Sequence, residues 1–152
     1  MKGLSNFAVK AAREKFGISL DYSENSLIEL DKLLEVTFTK FNDFALEGKL
    51  TEETIQRTSR IWGSYLGEVF LRKFNGEWIE KDGEDLLRVN ENFFEPILFV
   101  RERITNKSQL SAVIYFEECN ELLNSYSPFS TQHLRSDKEE INNLGLTQLT
   151  EA

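Results

Sequence analysis

IWGSYLGEVFLRKFNGEWIE, running from Ile61 to Glu80, contains the change of period on which the fold turns. Before Asn75 the apolar residues recur at helical spacing. Ile55, Trp62, Leu66, Val69 and Lys73 follow one face of a helix. Beyond Glu77 the period falls to about two, the signature of an extended strand. Thr51 suits the N-cap of the helix, Glu52 and Glu53 stand in its first turn, and Arg72 and Lys73 in its last, each charge favoured by the helix dipole. Leu50 and Ile55 stand at hydrophobic-staple spacing, and Asn75-Gly76 is expected to close the helix in a left-handed turn.

Reading onward, Trp78-Ile79-Glu80, the polar turn Lys81-Asp82-Gly83-Glu84 and Leu86-Leu87-Arg88-Val89 make a β-hairpin, with Phe93-Phe94 as a third strand. Pro96 suits the first turn of a helix to Ile104, and Asn106 to Ser108 breaks it. Gln109 to Leu123 is predicted as a last helix, with Leu110, Val113, Ile114, Cys119 and Leu122 or Leu123 inward. Reading backward, Ser23 is the expected cap of a helix striped by Leu27, Leu30, Leu34, Phe38 and Phe41, with Tyr22 and Leu27 as its staple. Asn42 to Leu50 reads as its end and a turn. A short amphipathic helix from Leu4 to Lys15 carries Phe7 and Val9 and stops at Gly17; Ile18 to Leu20 reads as extended.

These elements make an α+β fold: four or five helices packed on a two- or three-stranded antiparallel sheet. Trp62, Leu66, Val69, Phe70, Trp78 and Ile79 are expected to form much of the core. Residues 1–124 read as a single domain. Residues 125–152 read as a loosely packed or mobile tail, because the leucines there have no clean period.

Composition narrows the function. The chain has 152 residues, enough for one domain to bury its own core. Twelve phenylalanines against one methionine point to a stiff aromatic core, not a pliable groove. The net charge of −8 repels phosphate backbones, so direct nucleic-acid binding is disfavoured; the charge reads first as a device for solubility, and more sharply as attraction for a basic partner or mimicry of nucleic acid. One cysteine leaves neither an intramolecular disulfide nor a cysteine zinc site. With no apolar run long enough for a signal peptide or a membrane span, the sequence predicts a cytoplasmic protein.

Few residues offer chemistry. His133, the only histidine, lies in the predicted tail, without the fixed partner a general base needs. Cys119 has Glu117, Glu118 and Glu121 for neighbours, and nearby carboxylates disfavour a thiolate. Gly63-Ser64-Tyr65-Leu66-Gly67 resembles a nucleophile elbow only superficially, since the serine directly follows the glycine and the stretch is helical. No phosphate-cradling loop, metal-ligand cluster or dinucleotide fingerprint appears, so no catalytic residue, metal or cofactor is expected.

The two glycines do call for a reason, since each costs about 1 kcal/mol relative to alanine within a helix. Ser59, Gly63 and Gly67, four apart, form a smooth strip that admits a neighbouring backbone or ring closely; tight packing or a ligand surface would each use it. Glu68 borders the strip, four residues before Arg72, and is the first carboxylate to inspect for burial. The candidate binding residues are therefore Gly63, Gly67 and Glu68, joined by Tyr126 and Phe129 of the tail.

Phe16 to Leu34 and Ile61 to Glu80 together resemble a widespread family of small, mostly bacterial proteins of unknown function. The matching positions are Gly63, Tyr65, Leu66, Gly67, Glu68, Gly76, Trp78 and Pro96, a Tyr-Leu-Gly-Glu helix followed by a Gly-x-Trp turn. Asn75 stands where a second glycine is common. The resemblance spans about Phe16 to Leu123 and implies a stand-alone cytosolic domain with no established activity. Three functions stay open: a protein-interaction module such as an inhibitor, immunity-type or accessory protein; an acidic decoy of nucleic acid; and an enzyme using carboxylates alone, with Glu68 as base. The first leads, with a protein partner and room for a homo-oligomer.

Overall fold

The computed structural model describes residues 1–106 and 111–125. Its organising element is the helix α3, Glu52–Lys73. Thr51 caps it as expected, its Oγ1 accepting from the Thr54 N–H at 3.2 Å. Every residue from Trp62 to Phe70 is buried, so over this stretch α3 has no wet face and runs as a shaft enclosed on all sides.

Around it lie α1 (Lys2–Phe16), α2 (Ser26–Leu46), β1 (Gly76–Lys81), β2 (Glu84–Val89), β3 (Asn92–Phe94), α4 (Pro96–Thr105) and α5 (Ala112–Asn124). Among the described residues, five helices and one antiparallel sheet of order β1-β2-β3 confirm the α+β class. The hairpin pairs Gly76 with Val89 through to Lys81 with Glu84. Its two-residue turn, Asp82-Gly83, has φ of 53° and 80°, the left-handed pair that matches strand twist. Phe94 joins β3 to Leu87.

The Phe-rich composition has a definite geometry. The Phe70 ring on α3 lies 5.7 Å from Phe94, 6.0 Å from Tyr115 and 4.8 Å from Phe116, which locks the sheet and α5 to the shaft. Trp62, Leu66 and Val69 are core residues as well, whereas Trp78 and Ile79 on the outer strand are only half-buried.

Several expectations are corrected. In α1 the inward face is Ser5, Ala8, Ala11 and Ala12, and Phe7 is 50% exposed, because small side chains let the helix approach α3 closely. Ser23 is not the cap of α2. Its N–H and hydroxyl both donate to Asp21, and its Oγ accepts from Ser26, so a turn precedes the helix and Asn25 is the cap. Thr37 takes the buried place expected for Phe38, its hydroxyl satisfied by the Leu33 carbonyl at 2.8 Å. The helix also continues to Leu46, with its turn at Gly48, where φ is 69°.

Asn75-Gly76 makes no left-handed cap. Phe74 leaves α3 in an extended conformation, and Gly76 is already in β1. The glycine there answers to space: a Cβ would meet the Arg88 carbonyl oxygen and come within 2.9 Å of Val89 Cγ2. The last helix begins at Ala112, capped by Ser111, whose Oγ accepts from the Ile114 N–H at 3.0 Å. Its buried face uses Tyr115 and Phe116, and Ile114 is 43% exposed. Leu110, and all of the predicted tail beyond Ser125, lie outside the described residues.

Candidate functional site

The smooth strip of α3 is covered by the chain itself, in two different ways. Ser59, buried, donates its hydroxyl to the Ile55 carbonyl at 2.6 Å and so presents no free donor. Gly63 faces the first turn of α4, where a Cβ would lie 2.6 Å from the Ile97 Cα and 3.0 Å from its nitrogen. Gly67 faces the Trp78 indole: a Cβ would lie 2.5 Å from Cη2 and nearer still to Cζ2. One glycine is roofed by backbone and the other by a ring. Each roof also forms the wall of an open depression on the surface.

The depression beside Ile97 is a cleft of about 270 Å³ between α3, the β1–β2 turn and the start of α4. Ile97 and Leu98 supply its apolar lining, Gln56 and Ser59 come from α3, and Arg60 and Arg101 enter from two helices. Both guanidinium groups are anchored. Arg60 Nη1 lies 2.5 Å from Asp85 Oδ2 on β2. Arg101 grips Glu52 with both nitrogens, Nη1 at 2.7 Å and Nη2 at 3.0 Å. The hydrogen bond from Arg101 holds the Glu52 carboxyl below its ordinary pKa, and the same bond raises that of Arg101.

The depression beside Trp78 has a volume of about 540 Å³ and is lined by Met1, Lys2, Glu68, Leu71, Arg72 and Trp78. Glu68 is 7% exposed, and its Oε2 accepts from the Trp78 Nε1–H at 3.3 Å. The Glu68–Arg72 pair suggested by spacing is not among the ion pairs of the described residues. Arg72 instead stacks its guanidinium 4.3 Å from the centre of the Tyr22 ring.

That contact leads to a cluster absent from the sequence reading. Tyr22 has φ of 66°, rare for a residue with a side chain, and its N–H donates to the Tyr65 hydroxyl at 2.8 Å. Ser26 Oγ lies 2.6 Å from that hydroxyl and donates its own proton to the Ser23 carbonyl, so the Tyr65 proton points to Ser26. Burial raises the Tyr65 pKa, with the hydrogen bonds to Ser26 and from the Tyr22 N–H opposing it. The network pins the α1–α2 connection to α3. No local pattern announces it, because its members are 39 and 43 residues apart.

Ser64 is fully buried and donates to the Ile61 carbonyl at 2.7 Å, a geometry with no nucleophilic use. Cys119 is buried with its thiol pKa raised, chiefly by burial, to which the nearby Glu118 adds. Among the described residues no three His, Cys, Asp or Glu stand together to hold a metal ion, and no helix is long and apolar enough to cross a membrane. Tyr126, Phe129 and His133 lie outside the described residues.

Acidic residues across the described surface are mixed with cations: Glu24, Glu29, Glu35, Glu47, Glu53 and Glu77 each pair with a lysine or arginine, in addition to Glu52 and Asp85. Comparison with protein-family models, with curated proteins and with solved structures finds no match. The functional reading therefore rests on the geometry of this chain alone.

Proposed function

We propose that the chain is a cytoplasmic protein-interaction module that works by occupying a partner, and that the partner seats in the cleft between α3, the β1–β2 turn and α4. One observation carries the reading: two arginines, Arg60 and Arg101, are tethered by rim carboxylates beside the apolar lining of Ile97 and Leu98. Protein interfaces draw most of their energy from a few arginine and aromatic side chains around an apolar centre, enclosed by a polar rim. An arginine already held by an ion pair has less freedom to lose when a partner docks. Each guanidinium carries five N–H donors, more than one carboxylate consumes. The net charge of −8 steers a basic partner toward the molecule before contact.

The test is affinity capture with crosslinking from the native host, followed by binding measurements with the purified partner. Leu98→Glu is expected to weaken binding at least about tenfold, since it places a buried charge at the centre of the contact. Leu46→Glu, at a side chain 80% exposed on α2, is expected to leave it unchanged. Equal affinity for wild type and Leu98→Glu, with the partner crosslinked elsewhere, would remove the reading. Concentration-dependent mass in the absence of any other protein would identify a second copy of the chain as the occupant.

A further inference from the structure

The sheet has two edges, and they are built differently. β3 is three residues long, with Asn92 and Phe94 buried and Pro96 close behind it. Short length and cover are usual ways to keep an edge from pairing. β1 has neither. It runs for six residues with exposed or half-buried side chains, no proline and an unbroken register against β2. Among the described residues β2 is the one element that lies alongside it.

The hairpin turn decides which backbone groups face outward. A two-residue turn closes on a hydrogen-bonded pair, here Lys81 with Glu84, and such pairs alternate with non-bonded ones. Ile79 with Leu86 and Glu77 with Arg88 therefore bond inward. The N–H and C=O groups of Trp78 and Glu80 point to the outer edge, and among the described residues no backbone group bonds to them.

We infer that the chain forms a symmetric dimer in which β1 pairs antiparallel with β1 of a second copy, about a two-fold axis at Ile79, into one continuous sheet. With the axis there, Trp78 and Glu80 bond to Glu80 and Trp78 of the second copy. Glu77 then stands opposite Lys81 of the second copy, and Lys81 opposite its Glu77, in the non-bonded pairs where side chains come closest. An axis at Glu80 would set that carboxylate against its own copy, and an axis at Trp78 would set Glu77 against Ile79. Only the axis at Ile79 matches the charges. Lys81 touches the Phe93 ring, 5.9 Å to its centre, and no carboxylate among the described residues. Glu77 holds Arg88 through Oε1, and its second oxygen is enough for a lysine. Apolar contact follows the same axis. Ile79 is the cross-strand partner of Leu86, which is 5% exposed and apart from the main core, so Ile79 against its own copy joins two such patches. A second copy is the fitting partner because both halves of the charge match are already in one strand. The dimer is independent of the protein-binding cleft.

The experiment is sedimentation of the full chain from about 10 µM to about 1 mM, with amide exchange at both ends of that range. Mass is expected to rise from monomer toward dimer, with a Kd of about 0.1 mM, as for a small interface. The Trp78 and Glu80 amides should exchange at least about threefold more slowly in the concentrated sample, while that of Ile79, bonded to β2, is protected in both. Lys81→Glu faces Glu77 twice and should weaken association at least about tenfold. Lys49→Glu, the same change of charge at an exposed pair with Glu47, should not. Glu77→Lys combined with Lys81→Glu should return Kd to within about threefold of wild type. Leu98→Glu, in the cleft, should leave it unchanged. The inference is overturned if the mass stays monomeric throughout, if Lys81→Glu associates like wild type, or if the double swap restores nothing. Loss of the dimer in Leu98→Glu would overturn it by placing the second copy in the cleft. Slow exchange of Trp78 and Glu80 in the dilute monomer would overturn it by assigning the edge to residues 126–152 of the same chain.

Discussion

Gly63 and Gly67 are one turn apart on the same helix, yet they are covered by different kinds of matter. Gly63 is met by the backbone of α4 at Ile97, and Gly67 by the six-membered edge of Trp78. A backbone roof cannot be trimmed by substitution, whereas a side-chain roof can swing away or be shortened. Two glycines with the same spacing signal therefore differ in how the molecule answers an added methyl group. In an ordinary helix interior, glycine to alanine gains about 1 kcal/mol. At both of these positions the sign is expected to reverse.

The largest effect is expected at the backbone roof. Gly63→Ala should destabilise the fold by about 3 kcal/mol in urea denaturation, at the upper end for overpacking. Ile97→Ala in the same chain should not rescue it, because the obstructing Cα and nitrogen remain. Rescue there would show that the α4 backbone yields, and the contrast would collapse. Gly67→Ala should cost less, about 2 kcal/mol. Here Trp78→Leu in the same chain should recover at least about 1 kcal/mol as a coupling energy in a double-mutant cycle.

Alkaline pH sharpens the comparison further, because the side of α3 toward α4 and α5 is dry. Phe99 on α4 stacks on Tyr115 of α5 at 4.5 Å, and Tyr115 and Cys119 are both buried. Burial raises both pKa values above their ordinary ones. A raised folded pKa means stability that is whole below the unfolded pKa and is lost progressively as pH climbs from there through the folded pKa. Decline should therefore begin near the unfolded thiol value, about pH 8.5, and steepen near the tyrosine value, about pH 10. Urea midpoints at pH 7, 9 and 10 check this, and Cys119→Val should flatten the first part of the fall. A midpoint constant to pH 10 in wild type would contradict the dry interior. The smallest effect belongs at the end of α3 away from both roofs: Thr51→Ala removes one cap bond and should cost about 1 kcal/mol in the same urea assay.

What was readable in the sequence was what depends on neighbours along the chain. The Thr51 cap, the Asp82-Gly83 turn and Pro96 at the start of α4 are local devices, and each stands where its residues imply. What escaped depends on partners far away. Asp31, off the stripe of α2, accepts from the N–H groups of Ala112 at 2.6 Å and Val113 at 3.5 Å, and so serves as a second cap for α5 across 81 residues of sequence. The alanine face of α1 also reads poorly, because its worth lies in how near α3 can come. The same division applies to the site. The glycine strip and the suspicion that Glu68 is buried were legible from spacing. The two depressions were not: Arg60 and Arg101 converge from separate helices, and Arg72 is oriented by Tyr22 in a left-handed conformation that no local motif foretells.

The unbroken burial from Trp62 to Phe70 restricts how this gene can change over time. A bolt threaded through its nut tolerates wear on a single flank but not a missing thread. Adding or deleting one residue there would rotate everything downstream by about 100°, and every direction is already occupied. Length variation among descendants of this sequence is thus confined to the connecting turns, such as the one at Gly48.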